Sequence, residues 1–261
     1  MDSTLIIDKV PIRVAFSERT VEDVLVPMLL EWSASCRDLG RRIVVFLGAA
    51  PGAGKSVLAA YLEKLSASIP DAERVQAVGM DGFHHTNAFL ESHSIEVDGQ
   101  TRTLRSVKGW PETFRSAELQ EKVRALKDSD TVLFPVYDRN LHDPVEDALL
   151  VDAPIVLIEG MWMLYDDPSW AGVQALADHR IALLSRIDVL RERAVARKVR
   201  GGMSPEDARR FFDTVDCIAI RRILEHMEPA DRYLESMESM DLRDLGSVKP
   251  DSTRYLPADQ E

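Results

Sequence analysis

Residues 49–56 read Ala-Ala-Pro-Gly-Ala-Gly-Lys-Ser, a small-residue loop closing on a Lys-Ser pair. Such a stretch binds phosphate when it joins a strand to a helix: the glycines let backbone N–H groups turn inward around anionic oxygens, and the helix start adds partial positive charge. Pro51, Gly52, Ala53, Gly54, Lys55, Ser56 and Val57 are thus expected to cradle a nucleotide's phosphates, with Lys55 reaching the terminal ones and Ser56 ligating Mg²⁺. The strict pattern would place glycine at position 49; here Gly48 comes one residue early and Ala49 follows, tolerable if the backbone there keeps negative φ.

Two carboxylates complete a set suited to phosphoryl transfer. Asp81 directly follows the apolar run 75–80, which puts it at the end of a strand, where α/β sheets bind ligands, and there it could orient and deprotonate an acceptor hydroxyl. The plainer alternative is a cap on the next helix. Glu159 ends the apolar run 154–158, a costly place for an unpaired charge unless a cation waits there. With Ser56 it could hold Mg²⁺, or it could serve as an acceptor that orders the loop. Arg193, Arg197 and Arg200, at spacings of four and three, share one helix face. That is either a solvated stripe or, because Gly201-Gly202 and then Ser204-Pro205 follow, the first arm of a helix–hinge–helix lid closing guanidinium groups over the phosphate.

The elements that must carry these groups are legible in outline. Residues 42–47 form a β-rich apolar run before the loop, and Val57, Leu58, Tyr61, Leu62 and Leu65 mark one face of the following helix. Similar apolar runs at 75–80, 131–134, 155–158 and 181–184, mostly with helical stretches between them, predict an α/β fold with a mainly parallel sheet. Residues 1–40 read as an arm or hairpin and a covering helix with a kink at Pro27, 41–246 as the phosphate-binding domain with its lid near 190–205, and 247–261 as a polar tail free to move. Two irregular stretches, 91–115 and 135–148, could overhang one sheet edge and recognise the acceptor. Lys108, Tyr137 and Arg139 are the leading candidates, with Arg105, Asp138 and His142 beside them and Phe83, Trp110 or Tyr137 available to stack on a ring. His84 and His85 lack the neighbours of a zinc site and suit contact with substrate or loop, His84 being the substrate candidate.

Composition narrows the field. The 261 residues carry a net charge of −12, which argues against a general nucleic-acid binder while leaving room for a small basic pocket. Cys36 and Cys217 are too few and too far apart in sequence for a zinc ligand set or disulfide framework, and no apolar run approaches the roughly 20 residues of a membrane span. A cytoplasmic protein is expected, with no membrane partner. The N-terminal helix could cover the sheet or form a homodimer contact.

The chain resembles the phosphoribulokinase and uridine kinase group of P-loop kinases, which includes bacterial pantothenate kinases, and most closely a fructose-kinase-like branch. The residues that carry the likeness are the loop itself, 80–84 (MDGFH), 108–114 (KGWPETF), 135–139 (PVYDR), 157–160 (LIEG) and 193–208. The resemblance implies a three-layer α/β/α sandwich and transfer of the γ-phosphoryl group of ATP, with Mg²⁺, to an alcohol of a small metabolite. It gives Asp81 the role of base and supports a catalytic role for the lid arginines, Arg193 and Arg197, beside Lys55, with Arg200 on the nucleotide. A sugar or sugar-like acceptor is the first expectation and a nucleoside or pantothenate-type alcohol the second; a nucleotide-gated NTPase switch is the competing class. The sequence departs from its relatives at Arg115, where an aspartate is common, and in extra residues at 95–103.

Overall fold

A computed structural model describes residues 2–7, 10–97 and 99–256. Among the described residues twelve strands are formed: β1 (Asp2–Ile7), β2 (Val10–Ala15), β3 (Ile43–Ala49), β4 (Val75–Gly79), β5 (Ser94–Val97), β6 (Gln100–Thr103), β7 (Val132–Asp138), β8 (Asp143–Val151), β9 (Ile155–Gly160), β10 (His179–Leu184), β11 (Arg232–Ser236) and β12 (Leu242–Gly246). Six of them make the central sheet in the order β12-β11-β10-β3-β9-β4. All its pairings are parallel except β11–β12. Parallel strands need both faces covered, and β3 is accordingly buried along its whole length. Flanking helices complete the α/β/α arrangement.

The run 131–134 departs from expectation. It opens β7, which pairs antiparallel with β8 in a separate two-stranded sheet, so the stretch 135–148, read as irregular, is the body of a hairpin. A short apolar run looks the same whether it lies in a central strand or covers a core from one side. Here Val132, Phe134 and Pro135 are buried while Leu133 and Val136 face outward, the alternation breaking at Pro135, where the pairing register shifts. The extra residues at 95–103 likewise form most of a small hairpin, β5–β6.

At the N-terminus β1 and β2 pair as a hairpin, with Leu5 and Val14 buried. The helix spanning 18–39 contains a π turn at Val21–Leu25, where the Val26 N–H reaches back to the Val21 carbonyl. The wider turn directly precedes Pro27, which has no N–H to give, so a local change of helical pitch stands where a kink was expected. The tail is held down as far as it is described: Tyr255 is buried and Lys249 Nζ donates to the Met227 carbonyl at 2.8 Å. Residues 257–261 lie outside the described residues. Among the described residues, no helix is long and apolar enough to cross a membrane.

Beneath the sheet, Asp178 ties the lower ends of two strands together. Its carboxylate receives both forks of Arg41 (2.7 and 3.2 Å), the Val44 N–H (2.8 Å) and Lys127 Nζ (3.3 Å).

Candidate active site

The phosphate loop leaves β3 and enters the helix Lys55–Ser66 through Gly54, whose φ of 96° only glycine adopts readily. Gly52 has φ 86°, and a Cβ there would lie 2.7 Å from the Leu190 carbonyl, so the loop packs directly on the helix Ile187–Arg200. Ala49 is not among the residues with positive φ. It is Gly48 whose lack of a side chain is used, because a Cβ there would run into Leu164. No side chain caps the helix start, which leaves its N–H groups to an anion.

Around the loop the charged groups converge. Lys55 is buried, and burial pulls its pKa down; Glu159 and Asp81 work against this, while Arg197 and Arg139 reinforce it. A triphosphate is the kind of anion such a crowded cationic site accommodates. Ser56 Oγ, in the first turn of the loop's helix, donates to Glu159 Oε1 near the end of β9 at 2.7 Å. These are hard oxygen donors of the type Mg²⁺ takes, so Ser56 and Glu159 fit the ion.

Asp81 stands in the single 3₁₀ turn Met80–Phe83 that follows β4. Burial pushes its carboxyl up, but His84, Lys55, Arg139 and Arg197 together outweigh burial and hold it below the usual carboxylate range. Arg139 Nη2 lies 3.8 Å from Asp81 Oδ2. His84, buried and held below the usual histidine range chiefly by desolvation, donates from Nδ1 to the Asp81 carbonyl (2.9 Å). Its ring rests on Phe114 (centroids 3.8 Å apart) and faces Tyr137 (5.4 Å). Lys108 Nζ sits over the Tyr137 ring at 4.9 Å and donates to Asn87 Oδ1 (2.8 Å) and the His142 carbonyl (2.9 Å). Both partners are neutral, and burial together with Arg105 lowers the Lys108 pKa to about 8 against the pull of Asp143 and Asp81.

The fold therefore brings Lys55, Ser56, Asp81, His84, Lys108, Tyr137, Arg139, Glu159 and Arg197 to the loop end of the sheet and the hairpin beside it. Other candidates fall elsewhere. Phe83 is fully buried and packs edge-on against Phe134, so its ring belongs to the core and cannot stack on a ligand. Trp110 is buried too, under the Arg222 guanidinium. Asp138 accepts from the Asn140 and Leu141 N–H groups, which shapes the hairpin tip. Arg193 donates to Ser236 Oγ (3.0 Å) and to the carbonyls of Met237 and Glu238, clamping the β11–β12 turn that lies against Gly54. Arg200 is exposed at the last turn of its helix. Of the three arginines, Arg197 is the one whose charge acts on both Lys55 and Asp81.

Sequence reasoning missed Asn87, which fixes Lys108, and the pair Lys198–Asp216 (2.8 Å), which ties the helix Ile187–Arg200 to the one after the Gly-Gly turn. Neither had a local signal, since the partners of each pair are 21 and 18 residues apart.

Compared with known proteins, residues 44–238 match the model of the phosphoribulokinase / uridine kinase family. The chain belongs to that family. This P-loop kinase is 37% identical over 240 residues to the uncharacterized protein YggC of Escherichia coli K12, covering 91% of the present chain and 97% of that one. It is 29% identical over 162 residues to pantothenate kinase of E. coli K12 (DH10B), covering 58% of the present chain and 48% of that enzyme. Among solved structures, the kinase superposes on a "putative fructose transport system kinase" from Silicibacter sp. TM1040 with a TM-score of 0.64 and 29% identity, over 77% of this chain and 98% of that one.

Proposed function

We propose that the protein transfers the γ-phosphoryl group of ATP to a hydroxyl of a sugar or sugar-like metabolite. The observation that carries this reading is the position of Lys55, which starts the helix after β3, and Asp81, in the turn after β4, at the same end of the parallel strands β3, β9 and β4. A kinase needs these two groups facing each other: a cation for the donor's phosphates and a carboxylate for the acceptor's hydroxyl.

The loop N–H groups between Gly52 and Val57 and the Lys55 ammonium hold the triphosphate, with Pro51, which has no N–H, shaping the loop. Asp81, ionised at neutral pH, accepts a hydrogen bond from the acceptor hydroxyl, aims its oxygen at the γ-phosphorus and takes the proton as the new O–P bond forms and the bond to the bridging oxygen breaks. Arg197 supplies positive charge beside the transferring oxygens, and the Gly201-Gly202 turn is the hinge on which its helix and the next act as a lid. Ser56 and Glu159 would hold Mg²⁺, which when bound neutralises charge on the phosphates. Arg193 supports the nucleotide side by fixing the turn against Gly54.

On the acceptor side, Lys108, Arg139, Tyr137 and His84 offer several hydrogen-bonding groups around Asp81, a pattern suited to a polyol. The Tyr137 and His84 rings are the feature that favours the alternative, a nucleoside or pantothenate-type alcohol. Purified protein with ATP and Mg²⁺, offered sugars, nucleosides and pantothenate, separates these readings by which acceptor is phosphorylated. Intact ATP binding with no product from any acceptor class would overturn the kinase reading in favour of a nucleotide-gated switch.

A further inference from the structure

Arg115 holds the backbone of the Asp81 turn at three consecutive residues. Its own N–H donates to the Phe83 carbonyl (2.8 Å), Nη2 to the Gly82 carbonyl (3.1 Å) and Nε to the His84 carbonyl (3.3 Å). The same guanidinium pairs with Glu118 on its own helix and, through Nη2, with Glu146 on β8 at 2.8 Å. The turn is pressed from the other side as well, because a Cβ on Gly82 would lie 2.1 Å from the Pro135 carbonyl of β7. Asp81 thus sits at the start of a segment wedged between one arginine and the hairpin that carries Tyr137 and Arg139.

We propose that Arg115 is a positioning residue, a strap that locks the Asp81 turn to the β7–β8 hairpin so that the base and the acceptor-binding side chains keep one spacing; the catalytic part of this rests on the kinase reading above. Arginine suits the task because its planar fork can donate in several directions at once while its charge is balanced by two carboxylates. A carboxylate side chain at this position would have no proton to offer the Gly82 and His84 carbonyls.

The test compares wild type with Arg115→Ala, Arg115→Lys and Glu146→Gln. In transfer assays, Arg115→Ala should lower kcat on the order of 100-fold, the scale of a misplacement of about 1 Å, and leave nucleotide affinity within about twofold. Arg115→Lys should recover no more than about a tenth of the lost activity, because a single ammonium cannot reach the Gly82 and His84 carbonyls and both carboxylates at once, while the backbone bond to Phe83 is common to all variants. Glu146→Gln, which frees only the hairpin end, should lose about tenfold and serves as the readout if the alanine variant folds poorly. In parallel, the ring resonances of His84, whose Nδ1 is bonded to the Asp81 carbonyl, should move in the NMR spectra of Arg115→Ala or Glu146→Gln while those of His226 stay in place. Lower melting temperature with kcat of the folded protein and the His84 resonances unchanged would overturn the strap. If wild type phosphorylates no acceptor, the kinase reading fails, and the His84 resonances alone still decide whether Arg115 sets the turn.

Discussion

The Asp81 carboxylate and the Arg139 guanidinium face each other at 3.8 Å across the seam between the central sheet and the β7–β8 hairpin. Both side chains keep about two-fifths of their surface open to solvent, so the pair contributes little to stability. Its consequence is chemical. The guanidinium helps to keep the carboxylate ionised, and in the proposed reaction the two together would offer an acceptor on one side and donors on the other to an incoming hydroxyl.

The Ser56–Glu159 contact makes a metal-specific expectation. Glu159→Gln keeps a partner for the Ser56 hydroxyl and removes a charge, so the Mg²⁺ concentration for half-maximal activity should rise about tenfold or more. A Mg²⁺ titration of phosphoryl transfer at fixed ATP checks it; a curve that does not move would remove Glu159 from the metal's surroundings.

Lys108 makes an expectation about pH. With its pKa lowered to about 8, mainly by burial, the ammonium is charged below that pH and neutral above it. In the free enzyme, kcat/KM for the acceptor should therefore fall as pH rises through about 8. Lys108→Arg, which stays charged, should abolish that limb whatever it does to the maximum. A limb that persists in the arginine variant would assign it to another group.

Legibility from sequence followed the range of the interactions. The phosphate loop was readable because strand, loop and helix are adjacent in the chain, and Asp81 and Glu159 because each directly follows an apolar run. The location of Lys108, Tyr137 and Arg139 beside Asp81 depends on β7 leaving the central sheet to pair with β8, which residues 131–134 do not announce. Phe83 and Trp110 misled because an aromatic next to a site looks alike whether it packs or binds, and only burial separates the two. The arginine spacing gave the helix face correctly but not the direction of each side chain: Arg193 is claimed by the β11–β12 turn, a partner more than 40 residues away.

Asp178 offers a test of the scaffold apart from catalysis. Although burial raises its carboxyl, the bonds from Arg41 and Val44 and the charge of Lys127 prevail, and its pKa is lowered below the ordinary value. The linkage sign follows: the stabilisation is fully present above the unfolded value of about 4 and is lost as pH falls through the lower folded value. Asp178→Asn should cost about 2 kcal/mol at neutral pH, with allowance for the partial exposure of Arg41, and the gap to wild type should close on acidification. Urea denaturation at several pH values measures this; a gap that is constant with pH would place the effect elsewhere.

The proposed reaction depends above all on Asp81 acting on the acceptor while Lys55 acts on the donor. The most direct measurement is single-turnover phosphoryl transfer by Asp81→Asn beside its affinity for ATP. The expected result is a rate lowered by about 10² to 10⁴-fold with ATP binding retained. Transfer at a rate close to wild type would contradict the account.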